Sequence, residues 1–421
     1  MVSVRGILSV VALVAACNGT SRVQDGPSSD AGTGGSSRGG STSSAQGGTG
    51  GSGGNTWGDP LDCDDLGYDT DAYEYVFGRG TESYDVLGMS DDGTLLELKD
   101  GKAVFILRDG TTYSGIDLSP LAELLGEEPN ANNVHALADG KVLLGMSATR
   151  GGLFDLKSGM LTTFDAPEGR RFGAYSWGSE LIYVETGIPY DAGAGPGALG
   201  TDTIEDRRFE VRALDGSVVT TGVPLGRWFA VFASKEEIAW AAGNELVGIG
   251  FDGTERYRYD LGAPIDRFSA AADGSRFLVT LDDTLRWVDT VHDRVDDTLM
   301  FDLTLPLGTL SPSGTYGAVE FGDGNHLVGR LLEGQVVSMD LVASSHSMSI
   351  DVSDEGTLAV SGRGDDDYRV LVELWTRDGV SVLRCFHPGN VSPPSLRFTS
   401  DARWLVAYFY DRIRFFPVPS P

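Results

Sequence analysis

Positive charge is what this chain has least of. Lys and Arg number 32 against 61 Asp and Glu in 421 residues, a formal net charge of -29. That balance argues against binding nucleic acid or adsorbing to anionic lipid, both of which need basic patches. It favours solubility outside the cell or a cationic partner. Histidine (5) and cysteine (3) are sparse, and no Cys or His stands at zinc-ligand spacing to Cys63 or Cys385. There is no HExxH pair, no Walker-type phosphate loop and no Gly-x-Ser-x-Gly elbow, so the common metalloprotease, nucleotide-binding and serine-hydrolase signatures are missing. Helical patterning is confined to Ser119–Gly126, with a Ser cap, Pro120 at the first helical position and a Gly stop. The N-terminal apolar run, Ile7 to Val14, is too short to span a bilayer.

That run belongs to an export signal. Arg5 supplies the positive end, and Ala15-Ala16 are the small residues before a cleavage site. The segment ends Val14-Ala15-Ala16-Cys17, which resembles the lipobox of bacterial lipoproteins. The resemblance implies that residues 1–16 are removed and that Cys17 is lipidated. In Gram-negative lipoproteins an Asp after the Cys favours the inner membrane. Asn18 here implies the outer membrane, with the domain facing either side. An ordinary signal peptide with an incidental Cys is the alternative. Gly, Ser and Thr dominate residues 17–57, which hold almost no large apolar side chains. Such a stretch cannot bury enough surface to offset its ordering entropy and is expected to be a disordered tether. A Gly-rich coil of about 40 residues reaches roughly 35 Å.

From residue 58 onward the chain repeats one pattern, a polar step and then an apolar burst. Ser90-Asp91-Asp92-Gly93, Ala138-Asp139-Gly140, Ala272-Asp273-Gly274, Ser311-Pro312-Ser313-Gly314, Ser353-Asp354-Glu355-Gly356 and Ser400-Asp401 each precede such a burst. A second marker trails the first: Asp109-Gly110, Ser158-Gly159, Asp215-Gly216, Asp252-Gly253, Glu333-Gly334 and Asp378-Gly379, with Asp293-Arg294 as a degenerate copy. These dipeptides tolerate the positive φ of tight hairpins. A period of about 40 residues built from strands and turns signals an array of small sheets.

Seven complete units follow: 84–118, 133–167, 172–224, 228–261, 265–303, 307–342 and 346–387. An eighth, from Ser395, supplies three strands. Ala72–Gly78 is the candidate for its missing fourth, because an open ring would leave two sheet edges unpaired. The prediction is an all-β fold, an eight-bladed β-propeller (seven-bladed as the alternative) over residues 58–421, latched by an N-terminal strand. The repeat resembles the units of WD-repeat propellers and of the periplasmic propeller of the Tol system. It lacks the Gly-His and Trp-Asp dipeptides of the former. The resemblance implies a binding-scaffold role and transfers no site residue. With Cys17 lipidated, Cys63 and Cys385 remain as a candidate disulfide at the rim, in an oxidising compartment.

The candidate binding face is the one carrying the loops between second and third strands and between units. Its long loops are 119–132, Gly187–Arg207 and Arg363–Tyr368. Asp202, Glu205, Asp206, Asp282, Asp283, Asp323, Asp365, Asp366 and Asp367 are placed on it. Long loops on a rigid scaffold are where binding resides. Clustered carboxylates suit Ca²⁺ or a basic peptide, and solvated loop tips are the plainer explanation. No cofactor is otherwise implied. Of the scattered histidines, His346 is the best placed to face a central channel, with His135 next. The expected function is a non-catalytic envelope scaffold, monomeric, engaging a protein or glycan on the loop face. A propeller lyase or glycoside hydrolase is the alternative, and a purely structural envelope protein a third.

Overall fold

A computed structural model describes residues 61–62, 73–76 and 84–418, except 90–94, 100–101, 107–115, 130–132, 138–141, 178–179, 190–203, 282–283, 301–306, 322–326, 342–345, 364–369, 380, 388–393, 400 and 409–411. Residues 1–60, with the export segment, Cys17 and the Gly/Ser tract, lie outside them. The described chain forms eight sheets of four antiparallel strands, one of them extended by a fifth. The sheets follow chain order: sheet 1 spans 84–117, sheet 2 134–165, sheet 3 171–222, sheet 4 228–260, sheet 5 265–300, sheet 6 307–341 and sheet 7 346–387. Sheet 8 joins Ser395–Phe398, Trp404–Tyr408 and Arg412–Pro417 to Tyr73–Val76, with Tyr73 opposite Phe415 and Tyr75 opposite Ile413. This organisation into serial four-stranded units is that of β-propeller blades.

The polar steps are turns of one shape. The amides of Gly274, Gly314, Gly356 and Ala402 bond back three residues to the carbonyls of Ala271, Ser311, Ser353 and Thr399. The turn's fourth residue has φ of +65°, +66°, +82° and +52° respectively, a region that costs an L side chain roughly 1–2 kcal/mol. Where Asp stands in the step, its carboxylate closes the turn locally: Asp273 accepts the Ser275 amide at 2.8 Å, and Asp401 that of Arg403 at 3.1 Å. The glycine has a second duty. A Cβ at Gly356 would lie 2.8 Å from the Tyr316 ring of the preceding sheet, and one at Gly274 2.7 Å from Phe232. The turns are thus contact points between sheets as well as hairpin corners.

From sheet 2 to sheet 8, period-two apolar strands bury the facing sides of sheets that are neighbours in sequence. One cluster joins sheets 2 and 3 through Leu144, Leu153, Phe172 and Val184. Others join 3 to 4, 4 to 5, 5 to 6, 6 to 7 and 7 to 8. Between sheets 3 and 4, Tyr183, Phe209, Phe229 and Trp240 pack with ring centroids 3.9–5.7 Å apart. Each such pair contributes about 0.5–1.5 kcal/mol beyond its buried area. First strands are also stitched to the next sheet by hydrogen bonds. Leu310 N–H donates to Ser269 Oγ (3.1 Å), Leu396 N–H to Ser349 Oγ (3.0 Å) and Phe398 N–H to Asp351 Oδ2 (2.8 Å).

The single short helix, Ser119–Leu125, lies on sheet 2. Gly145 and Gly152 face each other across two strands there, and a Cβ on either would lie within about 2.5 Å of Leu121 or Leu124. The expected Ser cap is corrected. Leu118 is the N-cap, and Ser119 instead donates its amide (3.0 Å) and its hydroxyl (2.5 Å) to Asp117. Pro120 and the left-handed Gly126 stand as expected.

Two further corrections concern chain ends and loops. Leu61–Asp62 forms a strand parallel to Ser381–His387 of sheet 7, with Leu61 opposite Cys385. The segment beside Cys63 therefore meets sheet 7, as a strand that the sequence pattern did not include. Cys63 itself, and with it the Cys63–Cys385 disulfide, lies outside the described residues. Within Gly187–Arg207, strands run on to Pro189 and resume at Ile204, so the insertion is in part a long hairpin and not a loop throughout.

Candidate functional site at the base of the long hairpin

The second and third strands of sheet 3, Leu181–Pro189 and Ile204–Ala213, are the longest among the described strands. They pair out to Pro189 opposite Ile204, past the first strand, whose Arg171 pairs with Gly187. The extension projects from the end of the sheet that carries the loops between units. The ladder is interrupted at its base: Thr186 pairs with Arg208 but Ile188 with Glu205. The extra residue is absorbed by a bulge, with Asp206 at φ +47°. A bulge re-aims the side chains next to it, and here it turns two neighbours to opposite tasks.

Arg207 is turned onto Glu185. Its Nε donates to Glu185 Oε2 (2.7 Å), and its Nη2 to Glu185 Oε1 (2.8 Å) and to the Gly226 carbonyl (3.2 Å). Tyr183 donates its hydroxyl to Glu185 Oε1 at 2.6 Å. Glu185 is completely buried. Burial pushes its carboxyl above the usual range, and the Tyr183 and Arg207 bonds oppose that rise. Burial first, and then the Glu185 charge, holds the Tyr183 phenol well above its ordinary value, so it remains a donor. Gly226 must be glycine at this approach, since a Cβ there would sit 1.6 Å from the Ala241 carbonyl oxygen.

Asp206 is turned onto Arg170, which pairs with its carboxylate and donates to its backbone carbonyl at 2.7 Å. Arg208, half exposed, reaches the other Asp206 oxygen at 3.5 Å. A few residues inward, His135 of sheet 2 and Tyr175 of sheet 3 meet at 2.9 Å. Burial lowers His135 to about 4, so its ring is neutral at physiological pH, and burial also raises Tyr175.

Among the predicted face residues, Glu205 and Asp206 are described, and both are exposed. Asp206 belongs to an arginine latch and not to an open carboxylate cluster. Asp202, Asp282, Asp283, Asp323 and Asp365–Asp367 lie outside the described residues. So does His326, and of His346 and His387 only the backbone is described. His292 is exposed and bonded to Asp289 at 2.9 Å. No group of three or more His, Cys, Asp or Glu suited to a metal ion occurs among the described residues. No helix there is long and apolar enough to cross a membrane.

Sequence reasoning missed the interior charges. Besides Glu185, Glu320, Arg330 and Glu373 are buried in sheets 6 and 7. Arg330 donates to the Arg377 carbonyl of the next sheet. The signal was a charged residue in an apolar strand, as in Val372-Glu373-Leu374. No protein-family model matches this chain, and no curated protein matches its sequence.

Proposed function

We propose that this chain is an exported lipoprotein, anchored to the outer membrane through Cys17, whose eight sheets close into an eight-bladed propeller acting as a non-catalytic binding scaffold. Ring closure is supported by the pairing of Tyr73–Val76 with Arg412–Pro417 and by the serial packing of each sheet on the next. The scaffold role rests on the long hairpin of sheet 3. Its base is clamped by two Arg–carboxylate contacts on a bulge, which suits a rigid mount for a projecting contact element. Glu185, Asp206 and Glu210 are each paired with an arginine there, and that favours a structural mount over acid–base catalysis. The partner is a protein or glycan on the loop face. Cys63 follows the strand that pairs beside Cys385, and a disulfide there would pin the N-terminal segment to sheet 7.

Two measurements test the reading. Labelled palmitate should be incorporated by the wild-type chain and not by Cys17→Ala; equal labelling of both removes the anchor. Excising residues 190–203 should leave the thermal midpoint unchanged while abolishing photo-crosslinks formed in intact cells from a probe at Glu205. Crosslinks that survive the excision remove the hairpin from the binding face.

A further inference from the structure

An outermost strand with no neighbour presents a row of open backbone groups, which proteins usually guard with charge or cover. Seven of the eight sheets here follow that rule. Asp165, Arg258, Asp296 and Asp340 stand on the outermost strands of sheets 2, 4, 5 and 6, and Asp117 and Glu74 on those of sheets 1 and 8. Sheet 7 is covered by Leu61–Asp62. Sheet 3 is the exception. Its outermost strand, Val218–Gly222, carries no charge, and the uncharged tract extends from Ser217 to Gly226. The bulge beside Val219 recurs in the outer hairpins of sheets 4 to 7, so it is not what sets this edge apart.

The same edge gathers exposed apolar surface. Ten large apolar side chains are exposed among the described residues; Val218 (47%) and Val219 (44%) lie on this strand, and Val223 (54%) and Leu225 (45%) in the segment that follows it. Together these four leave roughly 300 Å² open, at the lower end of the patch sizes that are often functional. A stable dimer of globular subunits buries about 800 Å² on each, which is more than this strip offers. A single added strand needs less, because main-chain hydrogen bonds supply part of the affinity. Sheet 7 already carries such an addition, a short extended segment laid parallel on its outermost strand. In a chain of net charge -29, an uncharged edge penalises an incoming strand least when that strand carries no negative charge of its own.

We propose that Val218–Gly222 is a strand-acceptor edge, which takes an extended, uncharged, β-branched segment of a partner protein as a fifth strand of sheet 3. This surface is separate from the loop-face reading and is tested without touching the hairpin. The probe is a fluorescent heptapeptide of alternating threonine and valine, titrated into the full mature chain and followed by anisotropy. Saturable binding is expected. The Val219→Lys/Thr221→Lys variant, with an unchanged thermal midpoint, should bind at least tenfold more weakly. A peptide N-methylated at alternate residues, which keeps its side chains but loses half its donors, should lose binding to the wild type. The proposal is overturned by absence of saturable binding, by equal affinity for the variant or by full affinity of the methylated peptide. It is equally overturned if the wild type sediments as a dimer that the lysines dissociate, which would assign the edge to a second copy.

Discussion

Arg207→Ala removes the one cation that, among the described residues, hydrogen-bonds to the fully buried Glu185 carboxylate. Glu185 would keep the Tyr183 bond and lose both guanidinium bonds, at 2.7 and 2.8 Å. The Gly226 carbonyl would lose a donor as well. Breaking a buried pair from one side costs about 3–5 kcal/mol, because the orphaned charge stays desolvated. The pH dependence follows from the sign of the shift. Burial already raises the Glu185 carboxyl, and loss of Arg207 raises it further. The folded variant therefore holds the proton more tightly than the unfolded chain does. Its stability is greatest at low pH and falls as pH rises from the unfolded value through the folded one. The deficit should be near its full size at pH 8 and much smaller at pH 5. Glu185→Gln in the same background should recover most of the loss at pH 8, since a neutral amide still accepts from Tyr183. Urea denaturation of the three proteins at both pH values is the assay. A single variant within about 1 kcal/mol of wild type at pH 8, or a deficit that neither pH nor Glu185→Gln relieves, would refute the buried-pair reasoning.

Other substitutions probe other parts of the frame. Gly226→Ala should cost about 1–3 kcal/mol by overpacking against the Ala241 carbonyl, read as a lower denaturant midpoint. Ala402 occupies the left-handed turn position that glycine fills in three sister turns, so Ala402→Gly should stabilise by about 0.5–1 kcal/mol. Burial pushes Asp351 up to about 6 from an ordinary value of 3.8, so its contribution to stability is lost as pH rises through that window. Asp351→Asn should therefore melt above the wild type at pH 7.5 and not at pH 4, by scanning calorimetry. Cysteines at Tyr75 and Ile413, directly opposite in the register, should oxidise to a disulfide that links the N- and C-terminal peptides in a tryptic digest. Free thiols at both positions would exclude that pairing.

Local chemistry made most of the frame legible. Polar steps marked the turns because a left-handed corner selects Gly and a closing Asp or Ser, and those choices are written within four residues. The eight units and the Tyr73–Val76 strand follow from that rhythm. Leu61–Asp62 was invisible, since a strand of two residues has no alternation to read. The Arg207–Glu185 latch was hidden for another reason. Its partners lie 22 positions apart, and a bulge decides which residue of Asp206-Arg207 faces which way. Reading Glu205 and Asp206 as part of an acidic face overlooked the arginines at 170, 207 and 208, which the long hairpin brings beside them.

The union of Tyr73–Val76 with Arg412–Pro417 has a consequence for how the molecule is made. The first strand of sheet 8 to leave the ribosome waits long for its neighbour, because Tyr73 and Phe415 lie 342 positions apart (415 − 73). Until synthesis has passed Arg412–Pro417, the Tyr73–Val76 strand waits without this neighbour. Such contacts between sequence extremes are slow to form, and the intermediate that waits for them is exposed to aggregation. Truncation within Arg412–Pro417 would leave that intermediate as the end point of folding.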